Sequence, residues 1–194
     1  VGSHLGKGIT KIQKNTTKFN LISHQPNNPQ SLNDGVVWAV HQDKNGLLWI
    51  GTYKGGLNCY DFQNNKLIFY KDKSNSKITS NHIRVIQEDN FGNLWLGTYD
   101  GGLNLYNKTS GEFKSYQFNL NDSTSIAGNQ IQTILIDGNN YYIGTFGGGL
   151  CRVTINGNPF NQQLKFERIV NVENDNNSLS DNRVYKIYKD DEGL

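Results

Sequence analysis

The 194-residue chain has no methionine, two cysteines, three prolines and no long apolar run. Without a starting Met, Val1 reads as a point inside a longer coding sequence, so the chain is expected to be an excised or truncated piece. Cys59 and Cys151 fall at non-equivalent positions; they make neither a disulfide framework nor a zinc site and read as small apolar fillers. No stretch approaches the roughly 20 apolar residues of a membrane-crossing helix, and no signal-peptide pattern opens the chain. In a truncated piece neither absence fixes a compartment. Charge of one sign is also lacking: 19 Lys and Arg stand against 17 Asp and Glu, and they are scattered, so a nucleic-acid partner is not expected. With 35% hydrophobic residues and a mean hydropathy of −0.64, a few large side chains must carry the burial, from ten Tyr, nine Phe and three Trp. Familiar site signatures are missing too. No Gly-Lys-Ser/Thr loop follows the glycines, no G-x-S-x-G occurs, and His4, His24, His41 and His82 show no metal-ligand spacing. Neither a cofactor nor a metal is expected.

What the chain has is repetition. LLWIGTYKGGLNCY from Leu47 returns as LWLGTYDGGLNLY from Leu94 and as YYIGTFGGGLCRV from Tyr141, with a degraded copy at VGSHLGKGITKI from Val1. Gly51, Gly97 and Gly144 mark a period of about 46 residues. Each unit holds four short runs rich in Val, Ile, Tyr, Phe and Trp, separated by Gly/Asn/Asp turns, which read as antiparallel hairpin strands. A four-stranded unit of this length, repeated, predicts an all-β chain folded as a β-propeller of four-stranded antiparallel blades. About four blades' worth are present, expected as a fragment of a seven-bladed ring, with closure as a four-blade ring the second choice. The expected division is a partial blade over 1–30, blades over 31–76, 77–124 and 125–177, and the first strand of another over 178–194. Strands are expected at Val1–Ser3, at Leu164–Ile169 after an insertion around Asn156–Gln163, and at Val184–Tyr188. Trp49, Trp95 and Tyr142 share one second-strand position and are expected to fill the space between blades. Gly51, Gly97 and Gly144 are expected to admit a neighbouring backbone. Asp43, Asp89, Asp137 and Asp190 recur in the first turn of every unit and read as turn residues that accept local N–H groups. Asn-x-Ser/Thr sequons at Asn15, Asn107, Asn121 and Asn176 are expected by chance in an Asn-rich chain.

VWAVHQDKNGLLWIGTYKGGLNCY from Val37 and IRVIQEDNFGNLWLGTYDGGLNLY from Ile83 resemble the two-component regulator propeller repeat. The third unit departs from it, with DGNNYYIGTFGGGL replacing Leu-Trp by Tyr-Tyr and shortening the turn. The resemblance implies the periplasmic sensor region of a Bacteroides-type hybrid histidine kinase. In such proteins two seven-bladed propellers precede an immunoglobulin-like domain, one membrane helix and the kinase, and the signals are glycan breakdown products. It therefore implies a small-molecule or oligosaccharide ligand, a dimer in the full-length protein, a membrane link only through a downstream helix, and no enzyme activity in this segment.

Within the first strand, Val37, Ile83, Ile131 and Val184 are alike, as are Val40, Ile86, Ile134 and Ile187, and both sets are expected to pack. Between them stand Trp38, Arg84, Gln132 and Tyr185, which differ in every unit. Aromatic rings beside an Arg and a Gln suit a sugar, stacking on C–H faces while polar arms reach hydroxyls. Tyr53, Tyr99 and Phe146, at the ends of second strands, are expected near the same face, either rimming the site or packing under the Gly-rich turn. Two other classes stay open: a propeller lyase of the streptogramin-inactivating type, with His41, His82 and Glu88 as metal-site candidates, and a protein-interaction scaffold.

Overall fold

The computed structural model describes residues 9–11, 20–71 and 77–190. The expected strand at 1–3 and His4 lie outside the described residues. A two-stranded antiparallel sheet pairs β1 (Ile9–Lys11) with β2 (Asn20–Ile22). Three four-stranded sheets follow. They comprise β3 (Val37–Gln42), β4 (Leu48–Thr52), β5 (Leu57–Asp61) and β6 (Lys66–Tyr70), then β7 (Ile83–Glu88), β8 (Leu94–Thr98), β9 (Leu103–Asn107) and β10 (Glu112–Tyr116), then β11 (Ile131–Asp137), β12 (Asn140–Thr145), β13 (Leu150–Thr154) and β14 (Glu167–Ile169). Each sheet runs in sequence order with every neighbour antiparallel, the meander of a propeller blade.

The D-x-x-G-x-L-W spacing has a direct cause. Asp43 Oδ1 accepts the backbone N–H groups of Asn45 and Leu47 at 2.9 and 3.0 Å, closing the turn. Its Oδ2 accepts the indole N–H of Trp49 at 3.0 Å. In the second blade Asp89 repeats both jobs, taking Phe91 N and Asn93 N at 2.9 Å each and Trp95 Nε1 at 3.1 Å. The carboxylate thus fixes the turn and the rotamer of the ring that packs between blades. The Gly-Thr step has its own geometry. Thr52, Thr98 and Thr145 donate through Oγ1 to Gly56, Gly102 and Gly149 O, and these glycines have φ of 75°, 79° and 89°. Their N–H groups reach forward to the carbonyls of Asn81, Asn129 and Asn182, at 2.8–2.9 Å, tying each Gly-rich turn to the next connector.

Blades pack face to face. Trp49, Leu57 and Cys59 meet Ile78, Ile83, Ile86, Leu94 and Tyr106, and Trp95, Leu103 and Leu105 meet Ile126, Ile131, Ile134, Tyr141 and Ile143. A Cβ on Gly97 would lie 2.6 Å from Ile131 Cγ2 of the following blade and 2.4 Å from Val85 Cγ1, so only glycine fits this approach. The connector anchors Leu32, Ile78 and Ile126 are fully buried. Connectors are held by repeated loops in which Ser31, Ser125 or Ser178 bridges to the backbone six residues earlier.

Several expectations need correction. Tyr142 is only half-buried; the buried aromatic of the third blade is Tyr141, 5.0 Å from the Trp95 ring. The shared position faces the following blade, and no complete blade follows the third among the described residues. Val40 is 43% exposed for the mirror-image reason, while Ile86 and Ile134, between complete blades, are buried. Val184–Tyr188 does not form the expected strand: Val184 N donates to Thr145 O at 2.9 Å and Arg183 bridges Phe146, but no hairpin partner is present among the described residues. β14 is shorter than the expected Leu164–Ile169. Leu164 and Phe166 bury side chains from irregular backbone, and the insertion forms a 3-10 turn, Pro159–Asn161, capped by Asn158.

Cys151 is more than filler. Asn58 and Asn104 accept the connector N–H of Asn33 and Thr79 through Oδ1, and Cys151 Sγ accepts Ala127 N at 3.0 Å from the equivalent place. Both cysteines are free and buried; burial pushes the Cys59 thiol up to about 12 and Cys151 to about 11, so both stay protonated at neutral pH.

The first two blades are also locked by charge. Lys108 Nζ donates to Asp43 Oδ2 at 2.8 Å and to Glu88 Oε1 at 2.7 Å, while His41 Nε2 lies 3.3 Å from Glu88 Oε2. The Asp43 side chain is fully buried and that of Glu88 nearly so. Burial opposes their ionisation, but hydrogen bonds from Lys108, and from Trp49 or His41, outweigh it and hold both carboxyls below their ordinary values. Burial likewise disfavours the Lys108 charge, yet the two carboxylates raise its pKa.

Candidate ligand-binding site

The unlike residues of the first strands have a structural signature that hydrophobic spacing does not show. Val37 pairs with Thr52 and Ala39 with Gly51, so Trp38 is the extra residue of a β-bulge. The same slip sets Arg84 apart between Ile83 and Val85, and Gln132 between Ile131 and Thr133. A bulge leaves one residue unpaired and re-aims its side chain, breaking the ladder only at that point, and pairing resumes on either side. The alternation of packed residues is thereby kept while one position per blade is released from packing.

Four of the six expected residues come together. The Trp38 ring lies 4.8 Å from Tyr53 and 6.0 Å from Tyr99. The Arg84 guanidinium sits over both Trp38, at 5.5 Å, and Tyr99, at 5.7 Å, within cation–π range. Tyr53 and Tyr99 therefore join the cluster instead of packing under the Gly-rich turns. Tyr185 forms a separate edge-to-face pair with Phe146 at 5.8 Å, and Gln132 stands on β11 with no ring contact to the cluster.

Three further members had no place at this site in the sequence reading: Asp100, Lys54 and His82, the last named there only as a metal-site candidate. His82 lies 5.2 Å from the Tyr53 ring and 6.3 Å from Tyr99, and its Nδ1 is 3.0 Å from Asp100 Oδ2. Asp100 Oδ1 accepts a short hydrogen bond from Ser80 Oγ. Lys54 Nζ lies 4.9 Å from the Tyr53 centroid. The signal was available: Val36, His82, Gln130 and Arg183 share one position and all differ, as do Lys54, Asp100 and Gly147.

A contrast in hydrogen bonding separates site from scaffold. The repeated polar residues Asp43, Asp89, Thr52, Thr98, Asn58 and Asn104 are bonded within the protein. Among the described residues, none of the side chains of Trp38, Tyr53, Arg84, Tyr99, Gln132 and Tyr185 makes a protein hydrogen bond or ion pair. Their N–H and O–H groups are free to bond a visitor.

His41 and Glu88, which entered as metal-site candidates, serve the interface instead, since the Lys108 ammonium lies against Glu88. His82 is engaged by Asp100. Among the described residues no cluster of three or more His, Cys, Asp or Glu is placed to hold a metal.

Residues 31–54 and 77–100 match the two-component regulator propeller family. No curated protein matches the chain. Among solved structures, the extracellular domain of a protein described as the hybrid two-component system BT3049 from B. thetaiotaomicron is 29% identical, with a TM-score of 0.57 over 64% of this chain and 17% of its own. The corresponding domain of BT4673 from the same organism is 21% identical, with a TM-score of 0.67 over 97% of this chain and 32% of its own. Virginiamycin B lyase from Staphylococcus aureus shares the fold at 14% identity, with a TM-score of 0.51 over 70% of this chain and 42% of its own. The chain spans no more than a third of the length of those two-component relatives. It is an arc of a β-propeller, in which residues 31–54 and 77–100 are similar to two-component regulator propeller repeats.

Proposed function

We propose that the chain is a ligand-sensing segment in the periplasmic, extracytoplasmic part of a hybrid two-component sensor histidine kinase. The signal is an oligosaccharide or a related nutrient. Its site is the mouth formed by Trp38, Tyr53, Arg84 and Tyr99, with Gln132 and Tyr185 extending it along the next blades. Sensing here needs no chemistry on the ligand; the kinase lies in a downstream domain, joined through one membrane helix, and the full-length protein works as a dimer.

One observation carries this reading: the recurring polar groups of the blades are bonded to protein, while among the described residues the polar groups of Trp38, Tyr53, Arg84 and Tyr99 are left unbonded around a cluster of tilted rings. Rings suited to C–H faces beside unpaired donors are the chemistry of carbohydrate recognition. The experiment is calorimetric titration of the purified protein with a panel of plant and host oligosaccharides. Trp38→Ala and Arg84→Ala should each weaken binding by about tenfold or more, in line with loss of a stacked ring or a charged donor. Unchanged affinity in both variants for every oligosaccharide that binds would show that the site is elsewhere.

A further inference from the structure

The cluster also carries a charge that its own neighbours do not balance. The Arg84 guanidinium lies with Trp38 and Tyr99 at 5.5 and 5.7 Å and, among the described residues, has no carboxylate within ion-pair distance. Lys54, on the adjoining blade, contributes a second cation, held among the described residues only by the Tyr53 ring. The acidic group of the cluster, Asp100, is engaged by other partners, with His82 on one oxygen and Ser80 on the other. Asp34, on the connector before Trp38, uses Oδ1 to accept Val36 N at 2.7 Å.

The guanidinium lies over both rings while its N–H groups make no protein hydrogen bond among the described residues, and a guanidinium fork matches a carboxylate in two parallel hydrogen bonds. A neutral sugar seated on the same rings would take water from Arg84 without replacing its counter-charge, which costs free energy. Resting on the oligosaccharide reading above, we infer that the ligand is an acidic oligosaccharide, carrying a uronate whose carboxylate docks on Arg84 with Lys54 nearby, while its ring stacks on Trp38 and Tyr53. Arg84 and Lys54 are then the residues that select acidic from neutral glycans.

The test separates charge from sugar. Trigalacturonate and its fully methyl-esterified form present the same ring carbons and hydroxyls with and without the anion. Oligomers of mannuronate, guluronate and glucuronate, together with neutral oligosaccharides, complete the panel. In calorimetric titrations, at least one uronate oligomer should bind about tenfold or more tightly than its methyl ester, the size of one charge-assisted pair. Added salt should erode that preference. Arg84→Gln should bring the acid-to-ester ratio close to one while weak binding of the ester persists. Lys54→Gln, an exposed change that leaves packing alone, should reduce the ratio by a smaller factor. Equal affinity for acid and ester, or a preference that survives Arg84→Gln, would overturn the inference. Binding of sulfated or neutral oligosaccharides in preference to every uronate would overturn it too, while leaving the oligosaccharide reading intact. No binding by any oligosaccharide would remove both.

Discussion

Replacing Lys108 with Met should destabilise the protein by about 3 kcal/mol at neutral pH, the low end for removing one partner of a buried ionic group. The variant leaves Asp43 and Glu88 facing each other across the first blade interface without their shared cation. Asp43 keeps its N–H partners from Asn45, Leu47 and Trp49, and Glu88 keeps His41, which is why the loss sits at the low end. The pH dependence follows from the shifts. Both carboxyls have folded-state pKa values below their unfolded ones, so their contribution is present above the ordinary carboxylate range and is lost as pH falls through the lowered values. The Lys108 pKa is raised, so its contribution is present below the ordinary lysine range and is lost only as pH rises through the raised value. The gap between wild type and Lys108→Met is therefore widest around neutrality and narrows as pH falls below the ordinary carboxylate range. Urea unfolding at neutral pH and at acid pH below that range checks this, and an equal gap at both would mean that the network is not ionised as described.

The second large effect contrasts two residues at one repeat position. Trp95 is fully buried between the second and third blades, against Tyr141, with its indole N–H on Asp89. Trp95→Ala should cost about 3–5 kcal/mol, the range for emptying a buried aromatic site. Tyr142, two residues before its own glycine as Trp95 is, faces away from the described blades and is half-buried. Tyr142→Ala in this 194-residue chain should cost under about 1 kcal/mol. Paired denaturant melts measure both. Similar losses would contradict the rule that this position packs forward onto the following blade.

The fold was legible because the devices that build a blade are local. A D-x-x-G turn six residues from a Trp, a Gly-Thr step and an aromatic each act within one hairpin, so they recur in the sequence wherever the hairpin recurs. What depends on the neighbouring blade was less visible. Tyr142 and Trp95 look alike in the repeat and differ in burial because only one has a complete blade in front of it. Val40 and Ile86 differ for the same reason at the other end. The Lys108 network was hidden because its members come from two blades and it is not repeated: Asn93 and Asn158 bond across the second interface in its stead. At the site, the unlike residues Trp38 and Arg84 stood out against the like ones, and the same comparison two positions earlier would have found His82. The bulges that aim them are a register feature, and no single residue type announces them.

The protein's three tryptophans supply the most direct test of the claim that unlike residues, not repeated ones, read the ligand. Trp49 and Trp95 have indole N–H groups fixed on Asp43 and Asp89, while that of Trp38 is unbonded at the site. Nitrogen–proton correlation spectra resolve one indole signal for each. On titration with an oligosaccharide that binds, the Trp38 signal should move with occupancy while the Trp49 and Trp95 signals stay in place. Saturable binding with an unmoved Trp38 signal would contradict the account.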